Sequence, residues 1–179
     1  MKFCSNCGGK VERAIPPDED RMRYICKSCD IIHYENPLMV VGCLPVFENK
    51  LLLCKRAIEP GYGMWTLPAG FMENGEKVEE GAIRETREEA NAEVRIGPLH
   101  AIYSMPIVNQ VHIFFHAELK NINFFPGKES LEVRLFIEEE IPWNEIAFQS
   151  VHFALSTFFD DRRSGKSIPH TGGFCPPEK

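Results

Sequence analysis

The sequence predicts an α/β protein: a small β unit over residues 1–36, a larger mixed domain over residues 37–165 and a tail over residues 166–179. Three observations predict it. Two Cys-x-x-Cys pairs fall within the first 36 residues. From Leu38 onward, short apolar runs alternate with turn residues. One segment, Glu76–Asn91, repeats apolar residues every four positions, the period of a helix packed on one side.

Taken in order, Val11–Arg13 and Arg23–Ile25 read as two strands, joined through a turn at Pro16-Pro17-Asp18-Glu19-Asp20. Asn36-Pro37 marks a boundary, because the residue before proline is pushed toward extended geometry. Met39–Phe47 and Leu51–Lys55 read as strands around a hairpin turn at Glu48-Asn49-Lys50. A Gly- and Pro-rich stretch from Pro60 to Gly75 leads into the helix, where Val78, Ala82, Thr86 and Ala90, with Ile83 beside them, form the core-facing stripe. Strands are expected at Glu93–Ile107, Val111–Leu119 and Leu131–Ile137, and a second helix at Ser150–Arg163. The tail, rich in Gly and Pro, is expected to be loosely held.

The formal net charge of −6 argues against a dedicated nucleic-acid binder, which normally carries a basic face. It leaves room for a small anionic substrate, since bound cations reverse the local sign. Pro45 and Glu48 interrupt the best candidate for a membrane span, and the first residues carry no apolar signal stretch, so a reducing, cytoplasmic setting is expected. Seven cysteines, four of them in tight pairs, fit that setting better than a disulfide framework.

Cys4-x-x-Cys7, eighteen residues, then Cys26-x-x-Cys29 is the spacing of a four-thiolate zinc site. Zn²⁺ at these sulfurs is preferred over iron, a disulfide or free thiols. A closed set of four sulfurs leaves no open position, so the ion is read as structural, standing in for a core too small to form otherwise. His33 is read as a strand residue rather than a ligand, and Cys43 and Cys54 as buried core residues. Cys175 stands alone in the tail.

Glu85, Glu88 and Glu89 fall within about a quarter-turn of one another at about 100° per residue. Like charges at this spacing repel, and these lie beside the apolar stripe rather than opposite it. Oxygen ligands so arranged suit Mg²⁺ or Mn²⁺. The alternative is an acidic solvated face paired with Arg84 and Arg87. Gly81, one turn before Glu85, is read as leaving space for metal-bound water or a phosphate.

The helix and its approach, Gly70-x5-Glu76-x7-Arg84-Glu85-Thr86-x-Glu88-Glu89, resemble the signature box of the Nudix hydrolases. Thr86, Asn91 and Ala92 depart from the family's usual residues, and Ala69-Gly70 replaces a double glycine, but every charged position is present. The resemblance implies an α/β/α sandwich with a mixed sheet, preceded by a zinc ribbon, and metal-dependent hydrolysis of a pyrophosphate. It implies that Glu85, Glu88 and Glu89 are metal-binding and catalytic, that the Ala69 carbonyl supplements them, and that Glu76 and Arg84 form an orienting ion pair under a loop begun at Gly70. A later acid is expected from Glu129, with Glu132 behind it.

A zinc ribbon before such a domain is similar in outline to the NADH pyrophosphatases, but those carry a Ser-Gln-Pro-Trp-Pro-Phe-Pro motif where this chain has Tyr103-Ser104-Met105-Pro106-Ile107-Val108-Asn109-Gln110. The layout looks more like the FAD and ADP-ribose pyrophosphatases, so ADP-ribose or FAD is favoured, with AMP released. NADH or NAD hydrolysis is the alternative. A nucleotide sensor without catalysis and a nucleic-acid-binding ribbon are rivals from other classes. Tyr62, Trp65, Phe71 and Tyr103 are candidates to stack on a base, with plain packing as the alternative. A homodimer is compatible with the family's habits.

Overall fold

The computed structural model describes residues 1–174; Cys175 and the rest of the tail lie outside the described residues. The chain divides into two compact units, Met1–Asn36 and Pro37–Lys179. No helix among the described residues is long and apolar enough to cross a membrane.

The first unit is a three-stranded antiparallel sheet of β1 (Val11–Ala14), β2 (Arg23–Cys26) and β3 (Ile32–His33). The Pro16-Pro17 turn closes through an N–H of Glu19 on the Pro16 carbonyl, with Asp18 in the left-handed region. Glu19 then accepts from Arg23 Nε at 2.8 Å and from the Tyr34 hydroxyl at 2.7 Å, while the Arg23 guanidinium lies over the Tyr34 ring. With so little apolar area to bury, these polar contacts and the cysteine cluster carry the unit.

The second unit is built on a mixed sheet in the order β10-β5-β4-β9-β8-β11. Its strands are β4 (Leu38–Phe47), β5 (Lys50–Arg56), β8 (Val94–Met105), β9 (Gln110–Leu119), β10 (Ser130–Phe136) and β11 (His170–Gly173). β4 runs parallel to β9, and β11 parallel to β8; the remaining neighbours are antiparallel. Two short strands inside the Gly- and Pro-rich stretch, β6 (Trp65–Thr66) and β7 (Ala69–Phe71), pair with β5 and β4. Sequence patterning missed them because two or three residues are too few to show a period.

Alternation along the strands makes two cores. Leu44, Leu51, Leu53 and Phe114 face the long helix α2 (Gln149–Ser164), where Val151, Ala154, Leu155, Phe158 and Phe159 meet them. Cys43, Leu52, Cys54 and Phe115 face the other way, onto Ala82 and Ala90 of α1 (Val78–Ala90). A helix therefore covers each face, giving the α/β/α sandwich with a mixed sheet. Thr86 is fully buried in α1; its hydroxyl donates to the Ala82 carbonyl at 2.8 Å, so the polar atom is satisfied without leaving the core. Asn91 ends the helix with φ of 49°, a left-handed cap whose N–H returns to the Arg87 carbonyl.

The tail differs from the expectation of a loose segment. His170–Gly173 forms an edge strand in register with Ala101–Ser104, and Phe174 N–H adds a further bond to Ser104. Its residues, His-Thr-Gly-Gly, carry no strand signal in isolation; the ladder is supplied by β8.

Buried histidine makes this sheet sensitive to acid. His112, in β9, is buried, with Ser150 Oγ 2.8 Å from its Nδ1 and Gln110 Oε1 3.1 Å from its Nε2. Burial lowers its pKa to about 4. The unfolded chain takes that proton near pH 6.5, so the contribution to stability is complete above 6.5 and is lost as pH falls toward 4. A His112→Asn variant is expected to have a shallower pH dependence of unfolding free energy across that window. The difference should approach about 1.4 kcal/mol per pH unit, read by urea denaturation.

Candidate active site

α1 is held against β7, and this contact builds the site. Gly81 lets α1 pack closely on Glu76 and on Val41 of β4, but not for the reason its position suggested: a Cβ there would lie 2.6 Å from Glu76 Oε1 and 2.8 Å from a Val41 methyl. The space is taken by the protein's own side chains, not kept for water or phosphate. Gly70 is the residue that leaves room at the acids. A Cβ at Gly70 would sit 2.3 Å from Glu85 Oε2, so the carboxylate lies directly on the β7 backbone.

Arg84 organises the surroundings. Its Nε and Nη2 donate to the two oxygens of Glu76 at 3.0 and 2.8 Å, a bidentate pair, and Nη2 also donates to the Phe71 carbonyl at 3.0 Å. Glu76 in turn accepts the Glu73 N–H at 2.7 Å, and the Arg84 guanidinium, then that N–H, hold its carboxyl down at about 2. The loop 71–76 is thus pinned to α1 through one cation. Nη1 of Arg84 reaches Glu85 at 2.6 Å and Glu88 at 3.1 Å.

Glu89 is 6% exposed and has an Oε2 3.3 Å from the Ala69 N–H, which donates to it. Desolvation first, then the Glu85 charge, push its carboxyl up to about 8. Desolvation likewise raises Glu85, against the pull of Arg84. Glu88 is more open, with over half of its side chain exposed. The three carboxylates do not converge to within 4.8 Å of one another; among the described residues, the side-chain groups whose ligand atoms do so are the sulfurs of Cys4, Cys7, Cys26 and Cys29, and the set His100, Asp161 and His170. Still, two acids on a cleft wall, each raised by desolvation against the pull of an arginine, form a donor set that fits a hard divalent ion.

These residues line one cleft of about 1330 Å³, large enough for a nucleotide derivative. Ala69, Gly70, Phe71, Arg84, Glu85, Glu88, Glu89 and Glu129 all border it. Glu129 arrives on the loop before β10, which caps α1: the N–H groups of Phe125 and Gly127 bond the Ala90 and Glu89 carbonyls, and Asn91 Nδ2 donates to the Phe125 carbonyl. Glu132 sits on β10 opposite Lys55, outside the cleft lining.

Of the four aromatic candidates, Phe71 alone lines the cleft. Trp65 is a core residue, its ring edge-on to Phe136 at 4.8 Å. Tyr103 is buried against Phe153. Tyr62 is exposed but away from the cleft lining. Sequence reasoning missed Arg56. It ends β5 inside the cleft, buried, with Nε donating to the Pro60 carbonyl at 2.8 Å and its guanidinium over the Phe148 ring at 4.9 Å. A basic residue closing an apolar strand just before a Gly- and Pro-rich loop was the available signal.

In the first unit, one sulfur from each of Cys4, Cys7, Cys26 and Cys29 lies within 4.8 Å of the others. Two cross-pairs measure 3.7 Å (Cys4–Cys29) and 3.5 Å (Cys7–Cys26), far from a disulfide and near the edge of about 3.8 Å expected for a tetrahedron with Zn–S of about 2.3 Å. Backbone N–H groups of Asn6, Gly9 and Ser28 point at the sulfurs of Cys4, Cys7 and Cys26. The Ser28 N–H leads in lowering the Cys26 thiol to about 6, which favours the thiolate a metal needs. His33 is in β3, as read, and its Nε2 is 3.3 Å from Cys4 Sγ, a contact that spacing along the chain does not reveal.

Comparison with known proteins agrees with this architecture. Residues 2–35 match a family model described as "Nudix N-terminal", and residues 37–155 match the NUDIX domain. A crystal structure of a NUDIX hydrolase from Nitrosomonas europaea is 56% identical, covers 97% of this chain and 99% of its own, and superposes with a TM-score of 0.94. The NAD-capped RNA hydrolase NudC of Stutzerimonas stutzeri is 29% identical over 94% of this chain, which spans 59% of that relative's length. The ADP-ribose pyrophosphatase of Methanocaldococcus jannaschii is 40% identical over 73 residues, 41% of this chain and 43% of its own. The chain therefore belongs to the Nudix hydrolases, and it carries that family's N-terminal zinc-ribbon unit.

The buried acids yield a stability test. Because the Glu89 pKa is raised, its contribution to stability is full below pH 4.5 and is lost as pH rises through about 8. Without divalent ions, Glu89→Gln is expected to melt higher than the parent at pH 8–9, by the equivalent of about 1–3 kcal/mol, and to converge with it near pH 5. Thermal melts across that range, with hydrolysis assayed in parallel, read both effects.

Proposed function

We propose that this chain hydrolyses the pyrophosphate of a nucleoside-diphosphate-linked small molecule, with ADP-ribose or FAD preferred and AMP as one product. The observation that carries the reading is the pair of desolvated carboxylates, Glu85 and Glu89, set on the wall of a nucleotide-sized cleft with Glu88 and Glu129 at its border. Mg²⁺ or Mn²⁺ bound there supplies charge neutralisation at the phosphate oxygens and a more acidic water.

The chain's own groups divide the remaining work. Glu85 and Glu89 would hold the cation, with the Ala69 carbonyl as the supplementary ligand that the family resemblance implies. Arg84 keeps Glu85 and Glu88 oriented and fixes the 71–76 loop. Glu88 would take the proton from water, with Glu129 as the supplementary acid; the openness of Glu88 and the position of both on the cleft lining support this. Phe71 offers an exposed ring for a base. In the first unit, Cys4, Cys7, Cys26 and Cys29 hold Zn²⁺ as a structural ion.

The likeness to the archaeal ADP-ribose pyrophosphatase supports this substrate class. A second reading, hydrolysis of NADH or NAD, draws on the likeness to the NudC relative over most of the chain. The segment that departs from the NADH-type motif bears on the choice, since its Met105, Val108 and Gln110 line the cleft where a substrate's non-reacting half would lie.

Two outcomes test the assignment. A panel of ADP-ribose, FAD, NADH, diadenosine polyphosphates and nucleoside triphosphates, each with Mg²⁺ or Mn²⁺, should show the highest kcat/KM for ADP-ribose or FAD, with AMP identified by mass; a clear preference for NADH selects the second reading. Glu88→Gln should lose about 10²–10⁴-fold in turnover with an unchanged circular dichroism spectrum. Near-parental turnover would remove Glu88 from the chemistry.

A further inference from the structure

On the face of the sheet opposite α1, β8, β9, β11 and α2 bring together three imidazoles and a carboxylate that the hydrolytic site does not use. His100 is fully buried under α2. Its Nε2 is 2.9 Å from the Ala154 carbonyl and 3.1 Å from Thr157 Oγ1. A carbonyl can only accept, so Nε2 carries the proton and Nδ1 keeps a lone pair. Nδ1 is 3.1 Å from Nε2 of His116, on β9, and accepts its proton, a hydrogen bond that an ion bound through Nδ1 would replace.

Asp161, one face of α2 further on, is 7% exposed; among the described residues its carboxylate accepts from His170 Nε2 alone, at 2.9 Å. His170 opens β11 opposite Ala101, which places its ring 5.4 Å from that of His100. One ligand atom from each of His100, Asp161 and His170 lies within 4.8 Å of the others.

We propose that His100, Asp161 and His170 form a second metal site, for a borderline divalent ion such as Zn²⁺, Co²⁺ or Ni²⁺, independent of the hydrolytic cleft and of the cysteine cluster. Two imidazoles and one carboxylate are the donor set that suits such ions and not Mg²⁺, which prefers an all-oxygen set. Bonds of about 2.0–2.2 Å set tetrahedral ligand atoms about 3.4 Å apart, so the Asp161–His170 contact of 2.9 Å would open and give up its hydrogen-bonded proton as the ion enters. His170 is the partner free to move, since it is partly exposed on an edge strand, whereas His100 is fixed by α2. A buried carboxylate whose one recorded partner among the described residues is an imidazole gains a full counter-charge when the ion enters.

The ion would act as a clip. β11 reads His-Thr-Gly-Gly, buries no large side chain and pairs with β8 alone, so its attachment rests on a short ladder and on His170. Binding would tie β8, α2 and β11 through one centre and stabilise the folded chain in proportion to ion concentration.

The full chain and two variants, His170→Gln and Asp161→Asn, test this. Gln at 170 keeps a donor for Asp161, so a folded variant is available for comparison. Each protein is equilibrated with micromolar Zn²⁺, or separately Co²⁺, desalted and assayed for metal by mass spectrometry, with melts recorded with and without the ion. The parent is expected to retain one more ion per chain than either variant and to gain a Zn²⁺-dependent rise in Tm that both variants lack. Mg²⁺ should give no such difference. Equal metal content in parent and variants, or an equal Zn²⁺ effect on Tm, would overturn the site. Because the readout is a difference between parent and variant, ions held by the cysteines or the glutamates cancel, and the result does not depend on which pyrophosphate is cleaved.

Discussion

The approach of α1 to the short strand β7 is the constraint on which the rest of the second unit depends. It is close enough that Glu85 rests on the Gly70 backbone and Glu89 takes the Ala69 N–H. Two acids are thereby moved out of water, at a cost that only a cation can offset well. Arg84 makes the arrangement tolerable in the absence of one. Its guanidinium reaches Glu76, Glu85, Glu88 and the Phe71 carbonyl, so a single planar cation fixes the loop and moderates the acid cluster.

Much of the fold serves that contact. β4 carries β7 on one side and continues into the central sheet, while Ala82 and Ala90 seat α1 on Cys43, Leu52 and Cys54. The helix end is then sealed by the 120s loop, whose Gly127 comes so near the Glu88 carbonyl that a Cβ would lie 1.8 Å from it. That docking is what delivers Glu129 to the cleft while Glu132, three residues on, points along an outer strand. The opposite face is organised differently, around α2 and a polar histidine cluster buried among aromatic rings.

The sequence carried the long elements well because their periods are unambiguous. The α1 stripe, the β4–β5 hairpin and the α2 apolar face are each set by side chains within the element, and they appear within one or two residues of their expected ends. The box of charged residues was equally legible, since acids that share a helix face must recur at helical spacing. Short elements failed for the converse reason. β6, β7 and β11 exist because a neighbouring strand offers an edge, and Thr-Gly-Gly or Ala-Gly-Phe says nothing about who that neighbour is.

By itself the sequence determined the division into a cysteine-bearing unit and an α/β domain, the face of α1 that bears Glu85, Glu88 and Glu89, and the pairing of Cys-x-x-Cys knuckles. Each follows from local spacing. Only tertiary structure decided that Gly81 is filled by Glu76 and Val41, that Trp65 and Tyr103 belong to the core, that Arg56 enters the cleft, and that His100, Asp161 and His170 meet. Those facts depend on which distant surfaces come into contact and which groups lose their water there, and neither is written in the period of any one segment.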